Sequence, residues 1–96
     1  MQILSITRRR TEQFSDAQFE PLLEPEAERI RALYAAGSVR ECWSRQDVPG
    51  AVTMIEADSL EDARALVESF PLVQRGMLEI QQLIPLRGYR GFGPRS

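Results

Sequence analysis

Histidine and lysine are both absent from the 96-residue sequence, so that every one of its twelve basic residues is an arginine. A Ser-His-Asp or Cys-His catalytic arrangement therefore cannot be built within one chain, and neither can a lysine Schiff base. A histidine-bound metal site is excluded for the same reason. Any proton transfer must use Asp, Glu, Tyr, Cys or the substrate itself.

Other absences narrow the class of protein further. The single cysteine, Cys42, excludes an internal disulfide and offers no zinc-ligand cluster. No apolar run approaches the ~20 residues of a membrane span, and the charges of MQILSITRRR follow its apolar patch, unlike those of a signal peptide. The net charge of −2 disfavours nucleic acid as a partner. We expect a cytoplasmic protein with no membrane or nucleic-acid partner and, without a phosphate, dinucleotide or metal motif, no cofactor or metal.

The pattern of apolar residues predicts four strands and two helices. Alternation predicts strands at 2–9, 39–46 and 51–57, and a fourth in MLEIQQLIPL. Helical spacing predicts a first helix over 25–36, or from an earlier start near Asp16, with Gly37 as its stop. A second helix is predicted in SLEDARALVESF, which begins at a Ser59 cap and is ended by Pro71.

The resulting order is βαββαβ, the ferredoxin-like α+β arrangement of a four-stranded antiparallel sheet with both helices on one face. Residues 1–86 form the single predicted domain. Residues 87–96 form a glycine-, arginine- and aromatic-rich tail, which we interpret as an arm laid on a partner subunit and anchored by Tyr89 and Phe92.

The central hairpin gathers unusual residue types on one side. Alternate residues of a strand point the same way. A hairpin loop of two or four residues places six side chains on one face: Glu41, Trp43, Arg45, Val52, Met54 and Glu56. Cys42 and Ser44 then face the helices. Trp43 and Met54 would leave an apolar patch on the open face, which predicts that a second copy of the chain covers it.

The same face offers a candidate ligand site. Glu41 and Glu56 are the candidate catalytic residues, because two nearby carboxylates in a partly dry pocket can act as base and acid. Arg45 could bind a substrate carboxylate with two hydrogen bonds, and Trp43 could stack on a flat ring beside Met54. The alternative is that these charges form ion pairs between strands or subunits around a packed tryptophan.

Tyr34 is the remaining candidate. Its spacing places it on the apolar side of the first helix, where it is either a core residue or part of a ligand pocket. If the pocket lies between the helices and the sheet, Tyr34, Cys42 and Ser44 would line it. The run Arg8 to Arg10 either solvates a strand end, pairs with acids of the first helix or forms an anion site.

The segments ALYAAGSVRECWSRQDVPGAVTMIEADSLEDARALVESFPL and GMLEIQQLIPL resemble the muconolactone isomerase-like group of dimeric α/β-barrel proteins. The matching features are the helix, glycine and tryptophan-bearing strand, the Pro-Gly turn, the serine-led helix start, and the FPL and IPL ends. The resemblance covers 27–86. In contrast to the isomerases, the first strand, LSITRRR, carries no histidine.

The resemblance implies a ferredoxin-like protomer that pairs through its sheet into a barrel, often assembling further. Muconolactone isomerases move a proton within an unsaturated lactone without a cofactor, and relatives include cofactor-free monooxygenases. The sequence therefore favours a homodimer that binds a small organic molecule, with cofactor-free isomerisation as the leading activity. A non-catalytic protein whose sheet face is only a subunit interface is the alternative, and a cofactor-free monooxygenase is a second one.

Overall fold

The computed structural model describes residues 1–92 and has the predicted order of elements. The elements are β1 (Gln2–Arg9), α1 (Asp16–Ala35), β2 (Val39–Ser44), β3 (Ala51–Glu56), α2 (Leu60–Glu68), α3 (Pro71–Gln74) and β4 (Leu78–Leu86). The strands form one antiparallel sheet in the order β2-β3-β1-β4. The predicted ferredoxin-like arrangement is confirmed.

Helix α1 starts at Asp16, the earlier of the two predicted positions. Ser15 precedes it, and the Ser15 N–H donates to Gln18 Oε1 at 2.8 Å, as in a capping box. The helix includes Pro21 and Pro25, each of which removes one helical N–H. Gly37 ends it as predicted, with φ of +85° and the next N–H, of Ser38, donating to Leu33 O at 2.9 Å.

Helix α2 begins where its cap predicts, because Ser59 Oγ accepts a hydrogen bond from Asp62 N at 3.0 Å. Its end differs from the prediction. Helix α2 ends at Glu68, and Pro71 opens a separate short helix, α3, instead of only ending the previous one. Proline is well suited to a first helical position, where its missing N–H would have had no helical partner.

The core lies between the helices and one face of the sheet. Alternate residues of β1 and β3 supply its sheet side, with Ile3 and Ile55 fully buried. The helical side and its flanks supply the other buried apolar residues: Phe19, Leu33, Val39, Ala63, Val67, Phe70, Leu72, Met77 and Leu78. The helices therefore cover only this face, and the other face of the sheet is left without a covering layer in the chain described.

Two further features bear on the predicted partners. Within residues 1–92, no helix is both long enough and apolar enough to cross a membrane.

In the tail, Arg90–Phe92 form a short 3₁₀ turn. The Tyr89 and Phe92 rings pack edge to face there, with 5.0 Å between their centroids, and both stay largely exposed. The predicted arm also includes 93–96, which lie outside the described residues, and its contact with a partner stays a prediction.

Candidate functional site

We define the open face as the sheet face turned away from the helices. At its centre are apolar side chains from the three strands β1, β3 and β4: Leu4, Ile6, Val52, Met54 and Ile84. These side chains are only partly buried, and they do not belong to the core cluster that packs against the helices. Trp43 adds an indole that is 48% exposed, next to Val52 on the neighbouring strand. The result is a continuous apolar surface on a single chain.

The predicted parity of the hairpin is confirmed by its register. Glu41 pairs with Met54 and Trp43 with Val52, whereas Cys42 pairs with Thr53 on the helix side. The Arg45 N–H donates to Gly50 O at 3.0 Å, which leaves a four-residue loop between them. The loop thus has one of the two predicted lengths, and Arg45 follows Trp43 on the same side of the strand.

A β-bulge at Arg40 makes this orientation compatible with the core. The register shifts between Val39, which pairs with Ile55, and Glu41, which pairs with Met54. One extra residue on β2 therefore separates them. Without it, Val39 and Glu41 would point the same way; with it, Val39 is buried under the helices and Glu41 lies on the open face. The bulge was not predicted from the sequence.

The two candidate acids lie on neighbouring strands in a diagonal arrangement, because Glu41 pairs with Met54 and Glu56 is two residues further along. The Met1 amino group forms an ion pair with Glu56, with 2.8 Å between its nitrogen and Glu56 Oε2. This hydrogen bond lowers the pKa of Glu56. Glu41 Oε1 accepts from the Cys42 N–H at 3.2 Å. Two carboxylates close together in a partly dry pocket would raise the pKa of one of them, and for Glu56 the pKa is lowered instead.

Arg45 is held by protein groups. Its Nε and Nη2 donate to the two oxygens of Asp47 at 2.9 and 2.7 Å, and the Asp47 pKa falls to about 2 because of these hydrogen bonds. Its Nη1 donates to Gln81 Oε1 at 2.6 Å and to Thr7 O at 3.2 Å. The guanidinium thus joins the hairpin loop to β1 and β4 at one end of the open face.

A second charged cluster lies at the same end. Arg8, opposite Glu79 in the register, pairs with it at 2.9 Å and with Glu12 at 2.8 Å, while Arg10 lies 3.6 Å from Glu79. These hydrogen bonds raise the Arg8 pKa. The arginine run thus pairs with acids of β4 and of the connector before α1, not of α1 itself. Arg9 packs over the Phe19 ring, 5.3 Å from its centroid.

Tyr34 does not join the other candidates. It lies on α1, which covers the opposite face of the sheet, and 64% of it is exposed. Its predicted place on the apolar side of the helix is wrong, because Leu33 takes the buried position next to it. Cys42 is half-buried, with Sγ 3.5 Å from Thr53 Oγ1, and Ser44 is exposed. The structure therefore does not assemble these three residues into one helix-side pocket.

Sequence reasoning missed the partners of two candidate residues, which are Asp47, Gln81 and Thr7 O for Arg45 and the Met1 amino group for Glu56. It also missed Glu79, the partner of Arg8. Asp47 could have been found, since it follows Arg45 by two residues in a tight loop. Glu79 and Gln81 required the β1–β4 register, which shifts between Ile6 and Thr7. In the part of the chain from 1 to 92, no group of three or more His, Cys, Asp or Glu side chains is placed to hold a metal ion.

Comparison with known proteins supports the architecture. No protein-family model matches the chain, and no curated protein matches it significantly. Among solved structures, it is similar to 5-chloro-2-hydroxyhydroquinone dehydrochlorinase from Burkholderia phenoliruptrix AC1100, determined in complex with 2,5-dihydroxybenzoquinone. The TM-score is 0.66 at 17% identity, over 93% of this chain and 94% of that one. The likeness establishes a shared fold, which is the fold that the muconolactone isomerase-like resemblance implied.

Proposed function

We propose that the protein binds a small cyclic organic molecule at the open face, in a space completed by a second copy of the chain. The activity that we assign to this site is cofactor-free isomerisation by proton transfer within an unsaturated lactone or a related cyclic acid. The observation that carries the proposal is the half-exposed indole of Trp43 beside a continuous apolar surface. An exposed apolar patch of this kind is typical of an interface or a binding site.

The charges around this surface support a ligand that has both a ring and an acidic group. Trp43 can stack on a ring, and Arg45, two residues further on the same side, can bind a carboxylate. The structurally similar dehydrochlorinase was determined with a flat ring compound, 2,5-dihydroxybenzoquinone, so a protein of this fold can hold such a molecule. A second copy packed on the open face would exclude water from the site and strengthen these interactions.

Within this proposal, Glu41 is the better candidate for the base. Glu56 is paired with the Met1 amino group, and its lowered pKa makes it a weaker proton acceptor. Glu56 could still position or stabilise the ligand from the neighbouring strand. Met54, which is paired with Glu41, would form the apolar floor between the two carboxylates.

The test is turnover of unsaturated lactone acids, followed as loss of a ring proton by NMR in D₂O. We expect Glu41→Gln to lower the rate at least ~100-fold, the usual contribution of a general base. Glu56→Gln should have a smaller effect. Glu68→Gln, a change of an exposed acid on α2, is the matched control. Full activity in both the Glu41 and the Glu56 variants overturns the assignment.

The geometry also favours a second candidate, a sheet face that serves only as a subunit interface. Arg45 and Glu56 already have partners in Asp47 and the Met1 amino group, as expected of structural ion pairs. On this alternative, Trp43→Ala dissociates the dimer. In the unmodified protein, no cyclic acid alters the fluorescence of Trp43. A dimeric Trp43→Ala protein that has lost ligand binding would instead support the binding site.

A further inference from the structure

The Arg45 guanidinium binds two kinds of partner with two different edges. Nη1 is turned to the sheet, where it donates to Thr7 O at 3.2 Å in β1 and to Gln81 Oε1 at 2.6 Å in β4. Nε and Nη2 form the other edge and donate to Asp47 Oδ1 and Oδ2 at 2.9 and 2.7 Å. This second edge is the planar, two-point arrangement that arginine offers to any carboxylate.

The two sets of partners differ in how firmly they are held. Thr7 and Gln81 belong to paired strands, whereas Asp47 lies in the four-residue hairpin loop only two positions from Arg45. The Arg45 side chain is 16% exposed, but that of Asp47 is 65% exposed. Asp47 can therefore rotate into solvent while Thr7 O, a backbone atom of the paired strand β1, keeps the guanidinium in place. An exposed ion pair of this kind contributes little to stability, so a ligand can compete with it.

The position of the guanidinium relative to Trp43 defines what the competitor would look like. Residues on the same side of a strand are about 7 Å apart along it, roughly the length of a benzoic acid molecule. Arg8 and Arg10, in the charged cluster at the same end, are engaged by Glu12 and Glu79. Arg45 is therefore the guanidinium best placed to receive an acid whose ring lies against the indole.

We propose that Asp47 occupies the carboxylate site of the ligand, and that binding exchanges the Asp47 carboxylate on Nε and Nη2 of Arg45 for the carboxylate of a cyclic or aromatic monoacid. This inference rests on the proposed function and deepens it, because it specifies the anionic group of the ligand and the residue that competes with it. The exchange breaks no covalent bond. The ligand replaces two charge-assisted hydrogen bonds with two of the same type and adds ring contact with Trp43.

Benzoate is the probe, and quenching of Trp43, the single tryptophan, is the signal. We expect Asp47→Asn to bind benzoate about 1.5- to fivefold more tightly than the unmodified protein, because the variant lacks the carboxylate that competes for Arg45. Arg45→Gln should lose benzoate binding. Asp58→Asn is the control for net charge, because it removes an exposed carboxylate at the far end of β3. Benzamide, which has no carboxylate, should bind the unmodified protein and Asp47→Asn equally.

A second measurement requires no variant. NMR titration of the Asp47 carboxyl carbon should give a pKa of about 2 in the free protein and a higher pKa with benzoate bound, because Arg45 no longer faces that carboxylate. Equal benzoate affinity in the unmodified protein and Asp47→Asn, with an unmoved Asp47 pKa, overturns the exchange but leaves the proposed function intact. Absence of quenching by both benzoate and benzamide overturns the exchange and the ring-binding site together.

Discussion

At the scale of single residues, Glu26 is an acid whose environment opposes its charge. It lies on α1, partly buried, and its Oε1 accepts a hydrogen bond from the Leu72 N–H of α3 at 2.9 Å. Burial raises the Glu26 pKa, while the Leu72 N–H and the charge of Arg9 lower it by less. The carboxylate thus ties α3 to α1. Its pKa is nevertheless raised, so the folded protein holds the Glu26 proton more tightly than the unfolded chain does.

This imbalance predicts a pH-dependent stability difference for Glu26→Gln. As the pH rises above the ordinary value of 4.5, the unfolded chain loses the Glu26 proton first, so the folded protein binds more protons and its stability falls. The glutamine can still accept the Leu72 hydrogen bond but does not titrate. We expect urea unfolding to show the variant gaining stability relative to the unmodified protein between about pH 4 and about pH 7.

The control for this prediction is Glu28→Gln, which removes an exposed carboxylate from the same helix. A stability difference between Glu26→Gln and the unmodified protein that is constant over this pH range, or that falls with rising pH, would contradict the raised pKa. Comparing each variant with the unmodified protein cancels the opposite contributions of Glu12, Asp47 and Glu56, whose pKa values are lowered by their cationic partners.

Residue-level prediction worked where a local rule decides the outcome. The Ser59 cap, the Gly37 stop and the alternation of Trp43 and Arg45 depend on neighbours within a few positions. Tyr34 was misplaced because Leu33, next to it, competes for the same buried position, and helical spacing alone cannot choose between adjacent apolar residues. The partners of Arg45 on β1 and β4 depend on strand pairing far away in sequence.

At the scale of secondary-structure elements, the β1–β3 pairing requires a residue without a side chain at Gly50. A Cβ built there would overlap Thr7 O and lie 3.0 Å from Arg8 Cα. Both atoms belong to the backbone of β1, which cannot move away as a flexible side chain could. Because the two segments approach so closely, the Arg9 N–H donates a hydrogen bond to Pro49 O at 2.8 Å. The turn of the hairpin is thus hydrogen-bonded directly to β1.

We therefore expect Gly50→Ala to destabilise the fold by about 1–3 kcal/mol, the typical cost of forcing extra volume into a packed site. Gly88→Ala is the matched control, because a Cβ there meets no atom within 4 Å. Chemical denaturation of both variants gives the comparison. If Gly50→Ala were as stable as Gly88→Ala, the strands would not approach as closely as described.

Elements were predicted well where one pattern dominates, and less well where irregular geometry matters. The four strands and two main helices follow from apolar periodicity. The bulge at Arg40 does not follow from this periodicity, because one extra unpaired residue in a strand changes the pairing and not the types of residue that the strand contains. It nevertheless decides the site, since it allows Val39 to be buried while Glu41 and Trp43 lie on the open face.

At the scale of the whole molecule, the described chain forms two layers, the helices and the sheet. A third layer would be needed to cover the apolar open face of the sheet. The helices bury one face of the sheet, and the centre of the other consists of Leu4, Ile6, Val52, Met54 and Ile84. Charged clusters lie at both ends of this surface, around Glu56 and around Arg45. An apolar centre with a charged rim is the usual anatomy of a protein interface, which is the reason to expect a second copy there.

Met54→Arg tests this expectation at the centre of the open face. An arginine there would have to lose its hydration when the sheets pair. Glu41, the acid opposite it, only partly offsets this cost of roughly several kcal/mol, which weakens a dimer at least about a hundredfold. We expect light scattering to give twice the chain mass of 10.9 kDa for the unmodified protein and 10.9 kDa for the variant. The variant should remain folded by circular dichroism, because Met54 does not belong to the core. Ala65→Arg, on the exposed side of α2, should stay dimeric, and a monomeric unmodified protein would refute the pairing of sheets.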